Sequence, residues 1–158
     1  MEKNRLEISR LFNRFGFGPK PGEFSVNLKA GLKKTQSKLL AIPENDTGLK
    51  DIKEPVITDL GPRPKPNSAG VIDFALARRN QQAELTLWWL DRMVLGNYGL
   101  KEKMTWFWHG HWATSINKVD FPLVMYKQNQ TLRANSLGNF KTMSRAMIND
   151  GALQIWLD

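Results

Sequence analysis

Apolar side chains recur at helical spacing along most of this chain. Near its start, Leu11 and Phe15 are four residues apart, and Gly16 follows them as a helix stop. The longest helical pattern, Val71–Leu95, is rich in alanine, glutamine, leucine and arginine, which favour helices. These patterns predict a first helix over residues 2–15 and a long helix over residues 71–95.

The remaining patterns are also helical. Ser25 or Asn27 is placed to cap a second helix that runs to about Ile42. Later helices are predicted from about residue 100 into an aromatic stretch, over residues 123–136 and over residues 139–148. Val56–Thr58 is the only run of three consecutive β-branched residues. The predicted fold class is therefore mostly α, an irregular multi-helix bundle with little or no sheet.

Proline divides the chain into three parts. Residues 43–67 hold five of the eight prolines and connect two helical segments. Connections this long are uncommon inside a compact domain, so the segment is either a strap over the surface or a linker. We therefore expect a helical arm at residues 1–42, a Pro-rich strap or linker at residues 43–67 and a helical body at residues 68–158. Asn67 or Ser68 is predicted to cap the first helix of the body.

Composition and charge exclude several kinds of site. The 158 residues contain no cysteine, which excludes disulfides, thiolate metal sites and cysteine nucleophiles. The formal net charge is +8, but the basic excess is spread evenly along the chain, which is not typical of nucleic-acid binding. Gly16 and Gly18 lack the preceding strand and the third glycine of a dinucleotide site, so no nucleotide-binding residue is predicted.

The sequence shows no secretory or membrane signal. Charged side chains interrupt the segment Glu2–Arg10, where a secretory signal would need an apolar run. The most apolar window, Leu85–Leu95, is broken by Asp91 and Arg92 and is too short to span a bilayer. We expect no membrane span, and the cytoplasm is the default location.

The most informative stretch is residues 101–119, KEKMTWFWHGHWATSINKV. It contains three of the six tryptophans and both histidines. Aromatic residues that point all round a helix are typical of a central buried helix. We therefore expect one buried cluster around this helix, formed by Trp88, Met104, Phe107, Trp108 and His111.

The two histidines are the candidate catalytic or metal-binding residues. On a helix, His109 and His111 point in different directions, although a turn at Gly110 would bring the two rings together. Two interpretations are open. In one, His111 is a hydrogen-bonded core residue and His109 stabilises the carbonyl groups at the helix end. In the other, both histidines hold a divalent metal ion or act as acid and base.

Four further motifs accompany the aromatic and histidine motif of residues 101–119: RLFNRFGFGP near the start, Lys127-Gln128-Asn129, Leu137-Gly138-Asn139-Phe140 and the closing Trp156-Leu157-Asp158. Together these motifs resemble the pattern of the bacterial domain-of-unknown-function family DUF 1800. The resemblance implies a helical fold and a bacterial origin, but no established activity. Proteins similar to this one are typically longer and continue with a segment rich in carboxylates. The chain is therefore expected to be the N-terminal part of a larger protein.

Other polar and aromatic residues of these motifs are candidates for supporting roles in a site. Groups of this kind orient an imidazole or pack beneath it. They are Trp108, Trp112, Thr114, Ser115, Asn117, Asn129 and Asn139.

Two functions are consistent with these features. The first is a helical interaction or scaffold module, whose partner is another protein or the expected C-terminal portion of the same protein. The apolar segment Leu153–Leu157 favours this function, because it is predicted to form an exposed apolar end. The alternative is a metal-dependent or histidine acid–base enzyme whose site is completed by carboxylates beyond residue 158.

Overall fold

The computed structural model describes residues 2–158, and these form nine α-helices and one 3₁₀ turn with no β-strand. The helices are α1 (Glu2–Arg14), α2 (Glu23–Ala30), α3 (Leu32–Leu40), α4 (Val71–Leu95), α5 (Gly99–Trp112), α6 (Ile116–Val119), α7 (Pro122–Asn135), α8 (Phe140–Ile148) and α9 (Gly151–Leu157). The 3₁₀ turn is Thr47–Leu49. The predicted mostly α fold is therefore confirmed for the described residues. None of these helices combines the length and the apolar character needed to cross a membrane.

The long helix α4 begins and ends where its sequence pattern predicts. Its N-cap is Gly70 in the left-handed conformation, with φ 86°, rather than Asn67 or Ser68. Glycine adopts this conformation without the steric cost that a β-carbon adds. The helix bounds were therefore predictable from helix propensity, whereas the residue that caps the helix was not.

The predicted second helix is two helices, α2 and α3. They are separated by Gly31, which has φ 87° and cannot continue a right-handed helix in that conformation. The hydroxyl of Thr35 lies within hydrogen-bonding distance of the carbonyl oxygens of Asn27 (3.1 Å) and Gly31 (2.9 Å). Both carbonyl oxygens also accept a backbone N–H, from Gly31 and from Thr35, so the hydroxyl adds to a junction that is already hydrogen-bonded.

Helix α7 contributes to both buried apolar groups of the protein. The first core group is formed by Leu85, Trp88, Val119, Met125 and Ala152. The second core group is formed by Leu132, Met143 and Met147. Since α7 supplies Met125 to one group and Leu132 to the other, the helical body is packed around this helix.

The single buried cluster predicted around α5 is wrong. Trp88 belongs to the first core group, whereas Trp108 packs against the second. Phe107 is 52% exposed, and His111 is also exposed. On α5 the most buried residues include the charged Glu102. The helix therefore turns a polar face to the interior and part of its aromatic face to the surface.

The C-terminal apolar segment is less exposed than its sequence predicts. Ile155 and Trp156 pack against the first core group, and Leu153 packs against the second. Leu157 is 75% exposed. Helix α9 thus covers parts of both core groups with its own apolar side chains.

The strap, residues 43–67, is held to the helices by hydrogen bonds. The carboxylate of Asp46 accepts bonds from the backbone N–H groups of Asn97 (2.8 Å) and Tyr98 (2.9 Å), in the turn between α4 and α5. Three further pairs continue this contact: Glu54 with Tyr126, Val56 with Glu84, and Arg63 with Asp120. The strap is therefore in polar contact with the helical body along much of its length.

We expect Gly48→Ala to destabilise the start of the strap. A β-carbon at Gly48 would lie 2.1 Å from the carbonyl oxygen of Leu95 and 3.0 Å from the backbone nitrogen of Asn97. Forcing a methyl group into a filled space costs about 1–3 kcal/mol. Urea unfolding measures the loss. The control is Gly110→Ala, where the same methyl group meets nothing within 4 Å; equal stability of the two variants would contradict the prediction.

Candidate functional site

A buried ion cluster, formed by Arg92, Glu102 and Arg133, joins α4, α5 and α7. Glu102 is only 3% exposed. Its Oε1 accepts hydrogen bonds from the Nε atoms of Arg92 (3.1 Å) and Arg133 (3.0 Å). Arg133 also donates from Nη2 to Oε2 (3.0 Å). The bond pair from Arg133 is therefore bidentate, the strongest geometry for an arginine and a carboxylate.

The two arginines determine the ionisation of Glu102. Burial alone would raise its pKa, because a carboxylate loses hydration in the interior. Hydrogen bonds and positive charge from Arg133 and Arg92 outweigh the burial, and the pKa is lowered. Glu102 is therefore ionised at neutral pH and holds three helices together.

Two tryptophans of α4 enclose the buried ion cluster. The guanidinium carbons of Arg133 and Arg92 lie 4.8 Å and 5.2 Å from the ring centroid of Trp88, which are cation–π distances. The indole Nε1 of Trp89 donates to Glu102 Oε2 at 3.2 Å. Trp89 is thereby fixed in orientation, and it also forms part of the wall of a cavity.

The His109 cavity, with a volume of about 250 Å³, brings four of the predicted site residues together. They are His109, Thr114, Ser115 and Asn129. The rest of the lining is mostly apolar: Leu85, Thr86, Trp89, Ile116 and Met125. An apolar lining with a few polar groups is typical of sites for small molecules.

Asn129 lines the His109 cavity, and Arg133 sets the orientation of its amide. The side chain is 5% exposed, and its Oδ1 accepts a bond from Nη1 of Arg133. A guanidinium has only donors, so the amide oxygen must be the atom that faces Arg133. The remaining polar atom of the amide is Nδ2, which carries two N–H donors.

Thr114 is fixed by a chain of buried hydrogen bonds. Its hydroxyl donates to Oε1 of Gln128, and Nε2 of Gln128 donates to Oδ1 of Asp150 at 2.7 Å. Gln128 is fully buried. Thr114, Gln128 and Asp150 are thus linked in series by hydrogen bonds, and this link holds the Thr114 side of the cavity wall in one arrangement.

His109 lines the cavity with a ring that is partly buried. The ring packs edge-to-face on Trp89, with 5.3 Å between centroids. Burial lowers the pKa of His109, so the imidazole is neutral at physiological pH. A neutral imidazole has one donor and one acceptor nitrogen. The ring therefore forms part of the cavity wall, and its predicted role at the helix end stays a prediction.

His111 lies on a different part of α5, within the aromatic surface formed by Phe107, Trp108, His111 and Phe140. Its ring centroid is 5.6 Å from that of Trp108, 6.4 Å from that of Phe140 and 6.5 Å from that of Phe107. His111 itself is exposed. The interpretation of His111 as a hydrogen-bonded core residue is therefore wrong.

The two histidines contact separate sets of residues. His109 faces Trp89 and the cavity, whereas His111 faces Phe140 and its neighbours. Within residues 2–158, no group of three or more histidine, aspartate or glutamate side chains is placed to hold a metal ion. The chain therefore does not bring its two histidines into one site.

The remaining predicted residues have local structural contacts. Trp108 donates from Nε1 to the carbonyl of Ser136 at 3.0 Å, and Trp112 packs against the second core group. Asn139 caps α8, since its Oδ1 accepts the backbone N–H of Lys141 at 2.9 Å. Asn117 is exposed on α6 and does not line the cavity.

Sequence reasoning missed Glu102, Gln128 and Arg133. Each is a polar residue at a helix position that the structure buries. Their spacing gave a weak signal, because Arg133 shares a helix face only with Asn129, four residues earlier, while Gln128 lies about 100° away from Asn129. Polar residues on such a face are usually assigned to solvent, so pairing between helices could not be inferred from one helix alone.

A family model described as "Protein of unknown function (DUF1800)" matches residues 10–158. No curated protein and no solved structure matches the chain.

Proposed function

We propose that this chain, which belongs to the DUF1800 family of proteins of unknown function, is a protein-interaction module. The observation that carries the proposal is the aromatic surface on α5 and α8. Phe107 and Phe140 are 52% and 54% exposed, although both are large apolar side chains. Exposed apolar groups that lie together mark binding surfaces more often than scattered ones do.

The aromatic surface has the structure of an anchor site. Trp108 stacks on Phe140 with 5.5 Å between centroids, and it meets Phe107 edge-on at 5.0 Å. Each ring is therefore held by its neighbours before a partner arrives, so little side-chain entropy is lost on binding. Aromatic side chains of this kind supply much of the binding energy at protein interfaces.

The segment of chain that carries this surface has an excess of basic side chains. Residues 103–149 contain a single acidic side chain, Asp120, and it binds Arg63 and Arg78. The same segment contains these basic residues in addition to the buried Arg133: Lys103, Lys118, Lys127, Lys141 and Arg145. Complementary charge steers association and selects among partners. We infer that the partner is acidic.

The proposed occupant is an acidic amphipathic helix of another protein. Such a helix places apolar anchors at i, i+3 or i+4 and i+7 on one face, which suits a surface of adjoining rings. Its glutamate or aspartate residues would then lie near the basic side chains of α5 and α8, such as Lys141 beside Phe140. This proposal requires no chemistry at His111.

The test uses two synthetic amphipathic helices with the same leucine and tryptophan face, one with glutamates and one with lysines on the polar face. We expect the acidic peptide to bind at least about tenfold more tightly than the basic one. The double variant Phe107→Ala, Phe140→Ala should lose at least about tenfold in affinity for the acidic peptide, because both anchors are removed. Isothermal titration of the full chain measures both effects.

The matched control is Ile72→Ala, Leu76→Ala, which removes two exposed apolar side chains from α4. Surface changes of this kind alter stability by about 0.5 kcal/mol or less, so all variants should remain folded. If the double variant Phe107→Ala, Phe140→Ala bound the acidic peptide as tightly as the parent does, the proposal would be refuted. Equal binding of the acidic and basic peptides would refute the acidic partner.

A further inference from the structure

We propose that the His109 cavity binds a small uncharged carbonyl compound with an apolar body, of the class of primary aromatic amides. The cavity and the aromatic surface share no residue. This inference therefore goes beyond the protein-interaction function, and its experiments test it independently of that function.

The polar groups of the cavity select a hydrogen-bond acceptor. The Oδ1 of Asn129 is engaged by Arg133, so this amide offers N–H donors to the cavity. The Oγ of Ser115 accepts the backbone N–H of Asn117 at 3.3 Å, which leaves its hydroxyl hydrogen for a ligand. A carbonyl oxygen accepts two hydrogen bonds, and the amide of Asn129 and the hydroxyl of Ser115 supply one donor each.

His109 adds a second kind of contact. Its neutral ring has one nitrogen that accepts and one that donates. A primary amide carries both a carbonyl oxygen and N–H groups, so it pairs with the donors of Asn129 and with the acceptor nitrogen of His109. Trp89 and the apolar side chains of the lining suit an aromatic body.

The electrostatics of the cavity favour an uncharged ligand. None of the described residues that line it is Asp, Glu, Lys or Arg. The neighbouring Arg133 and Arg92 are bound to Glu102, and Arg92 also lies 3.8 Å from Glu54. A charged ligand would lose part of its hydration there without gaining an ion pair, which is unfavourable.

The volume sets the size of the ligand. The cavity volume of about 250 Å³ lies at the lower end of what small-molecule sites offer, which is about 300–1,000 Å³. A molecule the size of benzamide suits this space, whereas a nucleotide does not. Benzamide is therefore the probe, and benzylamine, which has a similar size but a charged donor group, is the matched comparison.

The first experiment titrates each probe into the ¹⁵N-labelled full chain. We expect benzamide to shift the indole signal of Trp89 and the backbone signals of Thr114 and Ser115, because these groups line the cavity. Benzylamine is expected to bind at least about tenfold more weakly, since its ammonium group would face the N–H donors of Asn129. The absence of benzamide binding, or equal binding of the two probes, would overturn the proposal.

The second experiment reverses the donor. Asn129→Asp keeps an oxygen for Arg133 and replaces the amide N–H donors by an acceptor. We expect at least about tenfold weaker benzamide binding and stronger benzylamine binding. The control Asn117→Asp makes the same charge change on the exposed surface of α6 and should bind both probes as the parent does. Unchanged probe selectivity in folded Asn129→Asp would overturn the proposal.

A third variant covers the case in which Asn129→Asp does not fold. Thr86 is an exposed residue of α4 that lines the cavity, so Thr86→Trp places a bulky ring over the space without changing the core. We expect this variant to lose benzamide binding while its melting temperature stays close to that of the parent. Benzamide binding that is unaffected by Thr86→Trp would place the probe elsewhere and overturn the proposal.

Discussion

Replacing Glu102 by alanine is expected to lower the free energy of unfolding by about 3–5 kcal/mol. The change leaves the guanidinium group of Arg133 buried without a counter-charge, and it leaves Arg92 with only the more distant carboxylate of Glu54. It also removes the acceptor for the indole N–H of Trp89. Since domains are stable by only about 5–15 kcal/mol, this variant should unfold at much lower urea concentration than the parent.

Two controls separate charge pairing from simple loss of a carboxylate. Glu54→Ala removes the second carboxylate near Arg92, but Glu54 is 58% exposed, so the loss should be about 1 kcal/mol or less. The combined change Arg92→Met, Glu102→Leu, Arg133→Met removes all three charges and should be less harmful than Glu102→Ala alone. A triple variant that is less stable than Glu102→Ala would contradict this expectation, because the ion pairs themselves would then supply net stability.

The buried ion cluster also makes the free energy of unfolding depend on pH, and the direction of that dependence is defined. The folded-state pKa of Glu102 is lowered from its ordinary value of 4.5. Its contribution is therefore complete above about pH 4.5 and is lost as the pH falls through the lower, folded-state pKa. The difference in stability between the parent and Glu102→Ala should shrink in this acidic range, and a difference that grew there would contradict the assignment.

Replacing Leu132 by alanine is expected to lower the free energy of unfolding by about 2–5 kcal/mol. Leu132 is 0% exposed and lies in the second core group with Met143 and Met147. Trp108 and Trp112 pack against this group, so a void at Leu132 would also loosen the base of the aromatic surface. Urea unfolding gives the energy, and near-ultraviolet circular dichroism reports the packing of the tryptophans.

The control for Leu132 is Leu87 of α4. Leu87 is 61% exposed, so Leu87→Ala should change stability by about 0.5 kcal/mol or less. The two variants remove the same atoms from two helices and differ in burial alone. Similar losses from both would contradict the position of α7 at the centre of the packing.

Local sequence patterns predicted the helices of this fold where one helix could be considered by itself. Val71–Leu95 was predicted with its observed bounds, because helix formers fill the pattern and Gly96 ends it. The break at Gly31 was missed, because a single glycine is tolerated in many helices and its φ of 87° depends on how α3 packs. The short helix α6 was also missed, although Ser115 caps it.

The interior of the body could not be predicted in the same way. Four aromatic residues around α5 indicated a central apolar helix, yet Glu102 faces the interior because Arg92 and Arg133 approach it from other helices. No pattern within α5 contains that information. The structure places His109 in the cavity wall and His111 on the aromatic surface, since the direction of each ring depends on neighbours from α4 and α8.

The attachment of the strap has a consequence for variation in chain length. Asp46 is joined to Asn97 across 51 positions of sequence, while Asn67 lies in an exposed turn between them with φ 62°. Loop-closure entropy grows only with the logarithm of loop length, so doubling the loop costs about 0.6 kcal/mol. Extra residues inserted at Asn67 would leave the anchor at Asp46 in place. This turn is therefore the point at which the chain can accept a peptide tag, or a whole inserted domain, at little cost to the helices beneath it.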